Sequence, residues 1–416
     1  MSTHGLCIPI GRMYFGLITG SYTRNLSGGV LRKAMWSVAD EVNQQFGTFN
    51  STDSSQRGGI IRTLNNLRII DFTYDGYYYS DWDGTTERCA WITDKALEEG
   101  HCRNWGNPIA EMMHEALRYL AGRTSPTSAY LYATPPNDND KGLPLPNVPW
   151  LRTGGTQIRP PYEIFPICSR PFMIVISDIN NSYDSDSVPG SHFASFSGDL
   201  IALNVSTLAN SISTGEGISG NYFIGQSSFY DFICSSKNVS SLATIRGLCP
   251  EEPTKQGSFY PASIAYYGLR PDGWRSNFLG SKPPPVETFS VALASPVPDI
   301  NVKVGNRFVR ITPIGKSVSG CLGVHTACAS RCTLTRDATG NLRITDCQSG
   351  SYCTSNQIVD LYVEQVNYDA NNNLTYASFS INYEDVEQGA DHDMDAVVRY
   401  IIQPVGSNQI KVRLEG

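Results

Sequence analysis

Hydrophobic positions along the chain change their period from one segment to the next, and each period predicts an element. Residues 13–18 (MYFGLI) form an apolar run, residues 24–29 (RNLSGG) a polar turn, and residues 30–33 (VLRK) a second run. That order predicts a β-hairpin closed by an Asn/Ser/Gly loop. Val38, Val42 and Phe46 then recur every fourth residue, the spacing of a short helix. In RGGIIRTLNNLRII, Ile60, Ile61, Leu64 and Leu67 share one helical face, with Gly58 and Gly59 at its entrance. The clearest helix covers residues 107–122. Asn107 is placed as its N-cap, Pro108 at the first helical position, Glu111 in the first turn and Gly122 just past the end. Ile109, Met112, Met113, Ala116, Leu117 and Leu120 make its apolar stripe; His114 and Glu115 fall near its polar margin, and His114 with Glu111, outside any H-E-x-x-H pattern, reads as a solvated pair rather than a metal pair.

A different pattern holds at residues 172–176, which follow Pro171 with no polar face at all. An apolar run of that length predicts a strand covered on both sides of a parallel sheet. Residues 204–213 and 261–268 read as helices, and residues 286–293 (VETFSVAL) as another sheet strand. Hairpin, helix, helix, buried strand, helix, helix, strand is the order of an α/β sandwich with a largely parallel sheet. From about Val302 the texture becomes long alternating strands. Residues 358–385 are two strands joined at residues 369–373, and from Arg399 a hairpin turns at residues 406–408. The expected division is therefore an α/β unit over residues 8–301 and a mainly antiparallel β-rich unit over residues 302–416.

Composition narrows the function classes. A chain of 416 residues is long for one core. Its formal net charge is -7 with no run of Lys or Arg, which argues against a nucleic-acid partner. No stretch approaches the roughly 20 apolar residues of a membrane span. The eleven cysteines carry more information. Cys89 and Cys102 bracket one short loop, Cys234 and Cys249 another, and Cys321, Cys328, Cys332, Cys347 and Cys353 crowd into one polar segment. Loop-bracketing cysteines fit disulfides in an oxidising compartment better than metal ligands. The opening MSTHGLCIPIGR has no apolar signal core, so an exported-looking body reads as a piece of a longer protein.

Three clusters carry candidate chemistry. Asp178, Asp184 and Asp186 collect just beyond the carboxyl end of the apolar strand, where open α/β sheets bind ligands. Asp, Asn and Ser oxygens suit a hard cation, Mg²⁺ or Ca²⁺, and they equally suit a solvated turn. Tyr77, Tyr78, Tyr79 and Trp82 form an aromatic patch among aspartates, either a sugar- or protein-binding surface or an insertion packed on the domain below. Asp391, Asp393 and Asp395 have D-x-D-x-D spacing, but Ala396 replaces the loop glycine and Ile402 the twelfth-position glutamate, so an EF-hand is not supported. Those carboxylates fit a cation, a basic partner or a solvated acidic loop. With six histidines and no G-x-S-x-G, P-loop or H-E-x-x-H, the enzyme alternative reduces to a metal-dependent hydrolase using Asp178 and His192.

Residues 13–33 (MYFGLITGSYTRNLSGGVLRK), 105–122 (WGNPIAEMMHEALRYLAG), 171–191 (PFMIVISDINNSYDSDSVPGS) and 383–400 (YEDVEQGADHDMDAVVRY) resemble, in the same order, the PilC/PilY family of type IV pilus tip adhesins and assembly factors. The resemblance implies a von Willebrand factor A-like sandwich with insertions, lying before the family's C-terminal β-propeller, with the β-rich unit incomplete at its C-terminus. On that template the hairpin of residues 13–33 matches the second and third strands, and Asp178 the third metal-loop aspartate. No D-x-S-x-S pentapeptide occurs, so the first strand is missing and would lie upstream. Trp105, Gly106, Asn107 and Pro108 stand where a metal-loop threonine is expected, leaving the Asn107 amide as the candidate ligand there. The implied protein is exported to the pilus tip, cell surface or outer membrane. It works with minor pilins in pilus assembly, attaches to host or abiotic surfaces, and is non-enzymatic with a divalent cation. A secreted carbohydrate-binding module and the hydrolase are the alternatives. A chain lacking a central strand is expected to show lowered stability or aggregation.

Overall fold

The computed structural model describes residues 13–416 except 44, 51, 54, 71, 74–77, 80–96, 132–142, 179, 229, 250–254, 294–299, 305–306, 312–319, 322–332, 337–341, 346–352, 355–356, 372 and 385–395. Strands β1 (Phe15–Thr19) and β2 (Val30–Trp36) form the expected antiparallel hairpin, with Thr19 opposite Val30 and Ile18 opposite Leu31. The helix expected at Val38 is one 3-10 turn, Val38–Glu41, after which Val42 bridges Phe49. Val38 is 37% and Phe46 69% exposed, so no core contact supports a longer helix there. Helix α1 (Ile60–Asn66) does form, but it buries Thr63 and leaves Leu64 exposed, so the expected apolar face is not the one that packs. Strands β3 (Phe72–Thr73) and β4 (Tyr78–Tyr79) pair antiparallel.

Helix α2 (Ile109–Leu120) is the centre of the first unit. Its Ile109, Met113 and Leu117 share one core with Leu208 and Ala209 of α4 (Val205–Glu216), Ile264 and Tyr267 of α5 (Tyr260–Leu269), and the fully buried Trp274. Each leucine, isoleucine or methionine among them contributes about 1.5–3 kcal/mol of burial. Between α2 and α4 lie the short α3 (Pro161–Ile164) and strand β5 (Phe172–Ser177). Asn204 caps α4 by accepting from Thr207 N at 2.8 Å, and Gly217 ends it in the left-handed region. An antiparallel hairpin that the apolar pattern does not announce, β6 (Gly220–Gln226) with β7 (Tyr230–Val239), follows. Strand β8 (Glu287–Ala292) then returns to run parallel to β5, from Phe172 opposite Glu287 to Ser177 opposite Ala292.

Two expectations are corrected here. Among the described residues β5 with β8 is one parallel pair, and every other strand pairing is antiparallel, so the sheet is not largely parallel. Strand β5 is also covered on one face only. Met173, packed in the α2 core, is 8% exposed, whereas Phe172, Ile174 and Ile176 are 49%, 61% and 63% exposed.

Beyond residue 299 lie β9 (Ile300–Val304) and β10 (Arg307–Ile311), then the short β11 (Gly320–Cys321), β12 (Thr333–Arg336), β13 (Leu342–Thr345) and β14 (Cys353–Thr354). A four-stranded antiparallel sheet closes the chain, with β15 (Gln357–Tyr368), β16 (Leu374–Glu384), β17 (Ala396–Val405) and β18 (Gln409–Glu415) side by side in that order. Val302 of β9 joins Leu374, Ala377, Phe379, Ile381 and Ile402 in a second core. The turns fall where expected. Asp369 Oδ1 accepts from Asn371 N and Asn373 N, each at 2.8 Å, and Gly406 has φ 60.

Candidate functional site

The carboxyl end of β5 meets the amino end of α2, and side-chain chemistry there is dense. Asn107 is not the N-cap: Pro108 precedes the helix, and Asn107 instead donates from Nδ2 to Ser177 Oγ and to Asn180 O, both at 2.8 Å. The reason is the neighbouring strand end, which offers two acceptors to one amide. Asn107 N donates to Ser182 Oγ at 2.9 Å, and Ser182 N returns a bond to Asn107 O at 2.9 Å. The loop after β5 is thereby stitched to the helix entrance.

The three aspartates of that loop have different environments. Asp184 is fully buried; its Oδ1 accepts from Ser258 N at 2.8 Å, and its Oδ2 accepts from Ala110 N and Asn181 Nδ2. Burial pushes its carboxyl up to about 6 against the pull of those donors. Asp184 thus ties three segments together. Gly257 makes the close approach possible, because a Cβ there would lie 1.9 Å from Asn181 O. Asp178 and Asp186 are exposed. Asp186 lines a polar cleft of about 390 Å³ with Arg24, Ser27, Glu99, Tyr183 and Gln256. Behind it stands Glu111, fully buried, accepting from Gly28 N at 2.6 Å and Ser187 N at 3.2 Å. Burial first, and then Asp186, hold the Glu111 carboxyl well above the usual range.

Glu111, His114 and Glu115 are not solvated: all three are completely buried. Residues 125–130 and 182–200 lie over the polar face of α2 and make it interior. Glu115 Oε2 accepts from Thr127 N at 3.0 Å, and its Oε1 from Arg118 Nη1 at 2.9 Å. Arg118 reaches Asp199 with a second pair of bonds, both at 2.8 Å. His114 Nδ1 lies 3.4 Å from the Tyr130 hydroxyl, which donates to Ser187 O at 2.7 Å. Phe196 stacks on Tyr130 and meets the imidazole edge-on. Burial first, then the Arg118 charge, lower His114 to about 3. Periodicity alone could not find this cluster, since the segments covering it have no regular pattern.

Oxygen atoms at the strand end belong to Ser177, Asp178 and the Asn107 amide, with Asp186 further along the loop, and the Asp184 oxygens accept from N–H groups. Among the described residues no group of three or more His, Cys, Asp or Glu has the proximity to hold a metal. His192 is exposed, and its backbone N–H donates to the Tyr260 hydroxyl at 2.9 Å. Tyr78 and Tyr79 form β4, whereas Tyr77, Trp82, Asp391, Asp393 and Asp395 lie outside the described residues. Cys89, Cys328, Cys332 and Cys347 lie outside them too. Cys102, Cys249 and Cys168, the last not singled out by spacing, are disulfide-bonded. Cys234 lies in β7, and the β11–β14 register sets Cys321 opposite Cys353.

Residues 15–268 match the family described as PilY1 homolog, second domain, and residues 302–416 match PilY1 homolog, beta-sandwich. A type IV pilus biogenesis factor PilY1 homolog from Xylella fastidiosa (strain Temecula1) is 39% identical over 433 aligned residues, covering 97% of this chain. The chain spans 26% of that relative's length. No solved structure matches the chain. A second-domain match over more than half of the residues and a relative this similar along nearly all of them lead to one assignment: the chain belongs to the PilY1 homologue family.

Proposed function

We propose that this chain serves type IV pilus biogenesis as a non-enzymatic, exported scaffold at the pilus tip or cell surface, and that it contributes to attachment. The observation that carries the reading is the 39% identity over 97% of the chain to a pilus biogenesis factor homologue. Its geometry supports a scaffold: the carboxylates behind the cleft, Asp184 and Glu111, are spent on backbone N–H groups rather than left for substrate. No helix among the described residues is long and apolar enough to cross a membrane. The partners in this reading are pilins at the tip and a host or abiotic surface. Deleting the coding gene is expected to remove surface pili, measured as pilin sheared from cells, and a wild-type copy should restore them. Full piliation in the deletion strain would sink the proposal. Adhesion is scored separately, on piliated cells only.

The architecture we propose is a von Willebrand factor A-like unit followed by a β-rich unit, divided near residue 301. A divalent cation, Ca²⁺ or Mg²⁺, would sit at the β5 end on Asp178, Asp186 and the Asn107 amide oxygen, where oxygen ligands suit a hard ion. Calorimetric titration of each ion into the purified chain, beside Asp178→Ala and Asp186→Ala, tests this. Affinity should fall at least about tenfold in either variant, and unchanged binding in both would remove the cation from the site. The disulfide pairing we propose is Cys89 with Cys102, Cys234 with Cys249, and Cys321 with Cys353. Peptide mapping without reduction tests each pair, and either cysteine of a pair found bonded elsewhere, to Cys168 for example, overturns that pair.

A further inference from the structure

Lys33, on β2, is fully buried, and its ammonium faces two carboxylates. Nζ lies 2.8 Å from each of Oδ1 and Oδ2 of Asp40, and 3.4 Å from Oε1 of Glu41. The side chains of Asp40 and Glu41 are 16% and 8% exposed. Glu41 Oε2 accepts from Ile61 N at 2.8 Å, whereas Oε1 is buried and has no hydrogen bond among the described residues. The trio is held from both sides. Ser37 Oγ accepts from Ala39 N at 3.1 Å and fixes the 3-10 turn that carries both acids. Asn50 donates to Asp40 O from Nδ2 and to Glu41 O from its backbone N, each at 2.9 Å. Gly58 pairs with Lys33 in an isolated bridge, and only glycine permits that approach, since a Cβ there would lie 1.9 Å from Arg32 O.

We propose that Lys33 and Asp40 condense into an intramolecular isopeptide bond, with Glu41 carrying the proton. Two acids against one ammonium leave a place within the trio for that proton to go. Lys33 Nζ passes one proton to Glu41 Oε1, and the freed lone pair forms the bond to Asp40 Cγ. One Cγ–O bond then breaks. Its oxygen leaves as water, taking the proton held by Glu41 and a second from the nitrogen, so ammonium and carboxylate become amide and water while Glu41 ends as it began. No oxidant or co-reactant enters. Two physical effects favour the amide over the ion pair it replaces. A buried ion pair carries the cost of taking two charges out of water, and the amide has neither charge. Amine and carboxyl are also already in contact, and well-oriented groups react with effective molarities of about 10⁵–10⁸ M, against which water at a buried site competes poorly. The single N–H that remains has Gly58 O, 3.4 Å from Nζ, as its acceptor. The product closes residues 33–40 into a covalent ring and locks the end of β2 to the turn that holds α1 at Ile61. The bond depends on none of the pilus, cation or disulfide readings.

Tryptic mass spectrometry of the denatured, reduced protein tests the bond. Trypsin cuts after Arg32 and Arg57, and an acylated Lys33 blocks the cut between them, so residues 33–57 should emerge as one peptide lighter by one water. Fragmentation should break that peptide after Asp40 and release nothing from within residues 33–40. A peptide of full mass, or one cut after Lys33, overturns the proposal. The second outcome covers a cyclic imide at Asp40, which also loses water but leaves the amine free. A ring that extends over the 40–41 bond places the linkage on Glu41 and overturns the assignment as well. Glu41→Gln keeps an acceptor for Ile61 N–H and cannot carry the proton, so its peptide should appear at full mass with Lys33 cut. The lighter, uncut peptide in that variant would remove Glu41 from the step. Because a variant that failed to fold would also show full mass, the bond itself is judged on the wild-type protein.

Discussion

His114 shows how far one residue can depart from what its neighbours in sequence suggest. Its ring is fully buried between Tyr130 and Phe196, and the charges of Arg118 and Asp199 act on it. A base whose folded value lies near 3 and whose ordinary value is 6.5 stays neutral in the native state while the unfolded chain takes up a proton. Stability from this residue is full at neutral pH and is lost as pH falls from 6.5 toward 3. The loss between pH 7 and pH 5 is roughly 2 kcal/mol. His114→Phe keeps the aromatic contacts and cannot titrate, so urea denaturation at the two pH values should show the variant less acid-sensitive by that amount. Asp184, raised to about 6, acts in the opposite sense, and its contribution grows as pH falls through that value. Both proteins share it, so the difference isolates His114, and equal acid sensitivity would contradict the assignment.

At the scale of elements, helix α2 was legible from its 3.6-residue stripe and its flanking Pro108 and Gly122, because both signals are local. Its buried polar face was not, because what covers it comes from irregular segments with no period to read. Strand β5 was legible as a strand, since an apolar run bounded by Pro171 and Asp178 has few other uses. Its exposed face was not, because that depends on which neighbours surround it. The β6–β7 hairpin escaped because Tyr230–Val239 mixes polar and apolar residues without strict alternation. At the β5 end, the sequence brought the right loop to the right place, but could not say that Asp184 faces inward while Asp186 faces the cleft. The α2 cluster yields a quantitative expectation. Arg118→Ala leaves the buried Glu115 carboxylate without its countercharge and should cost about 3–5 kcal/mol in urea unfolding. Adding Glu115→Gln removes the stranded charge while keeping an acceptor for Thr127 N–H, so the double variant should recover part of the loss. Strict additivity of the two changes would show that the pair is not coupled.

Over the whole molecule, among the described residues, the hydrophobic core around α2, α4 and α5 has no residue in common with the one between β9 and the β15–β18 sheet. Leu117 is fully buried in the first and Ile381 in the second. Truncating either to alanine should cost about 2–5 kcal/mol. Calorimetric unfolding is expected to show two transitions, with Leu117→Ala lowering one and Ile381→Ala the other. A single transition shifted by both variants would mean that the units unfold as one. The hydrophobic period itself changes near Val302, a residue of the second of these cores.

The contacts that enclose α2 also set a timetable for the nascent chain. Gly28 with Glu111, Leu97 with Tyr183, Asn107 with Ser182, Ala110 and Ser258 with Asp184, and Arg118 with Asp199 join residues 74 to 86 positions apart. Contacts of that span close large loops and make folding slow. As the chain emerges amino end first, the face carrying Glu111, Glu115 and Arg118 stays wet until residue 199 is available to cover it. The loop around Asp184 waits longer still, for Ser258. Until then α2 offers water a charged flank and an apolar stripe together, the state that holding chaperones are suited to guard.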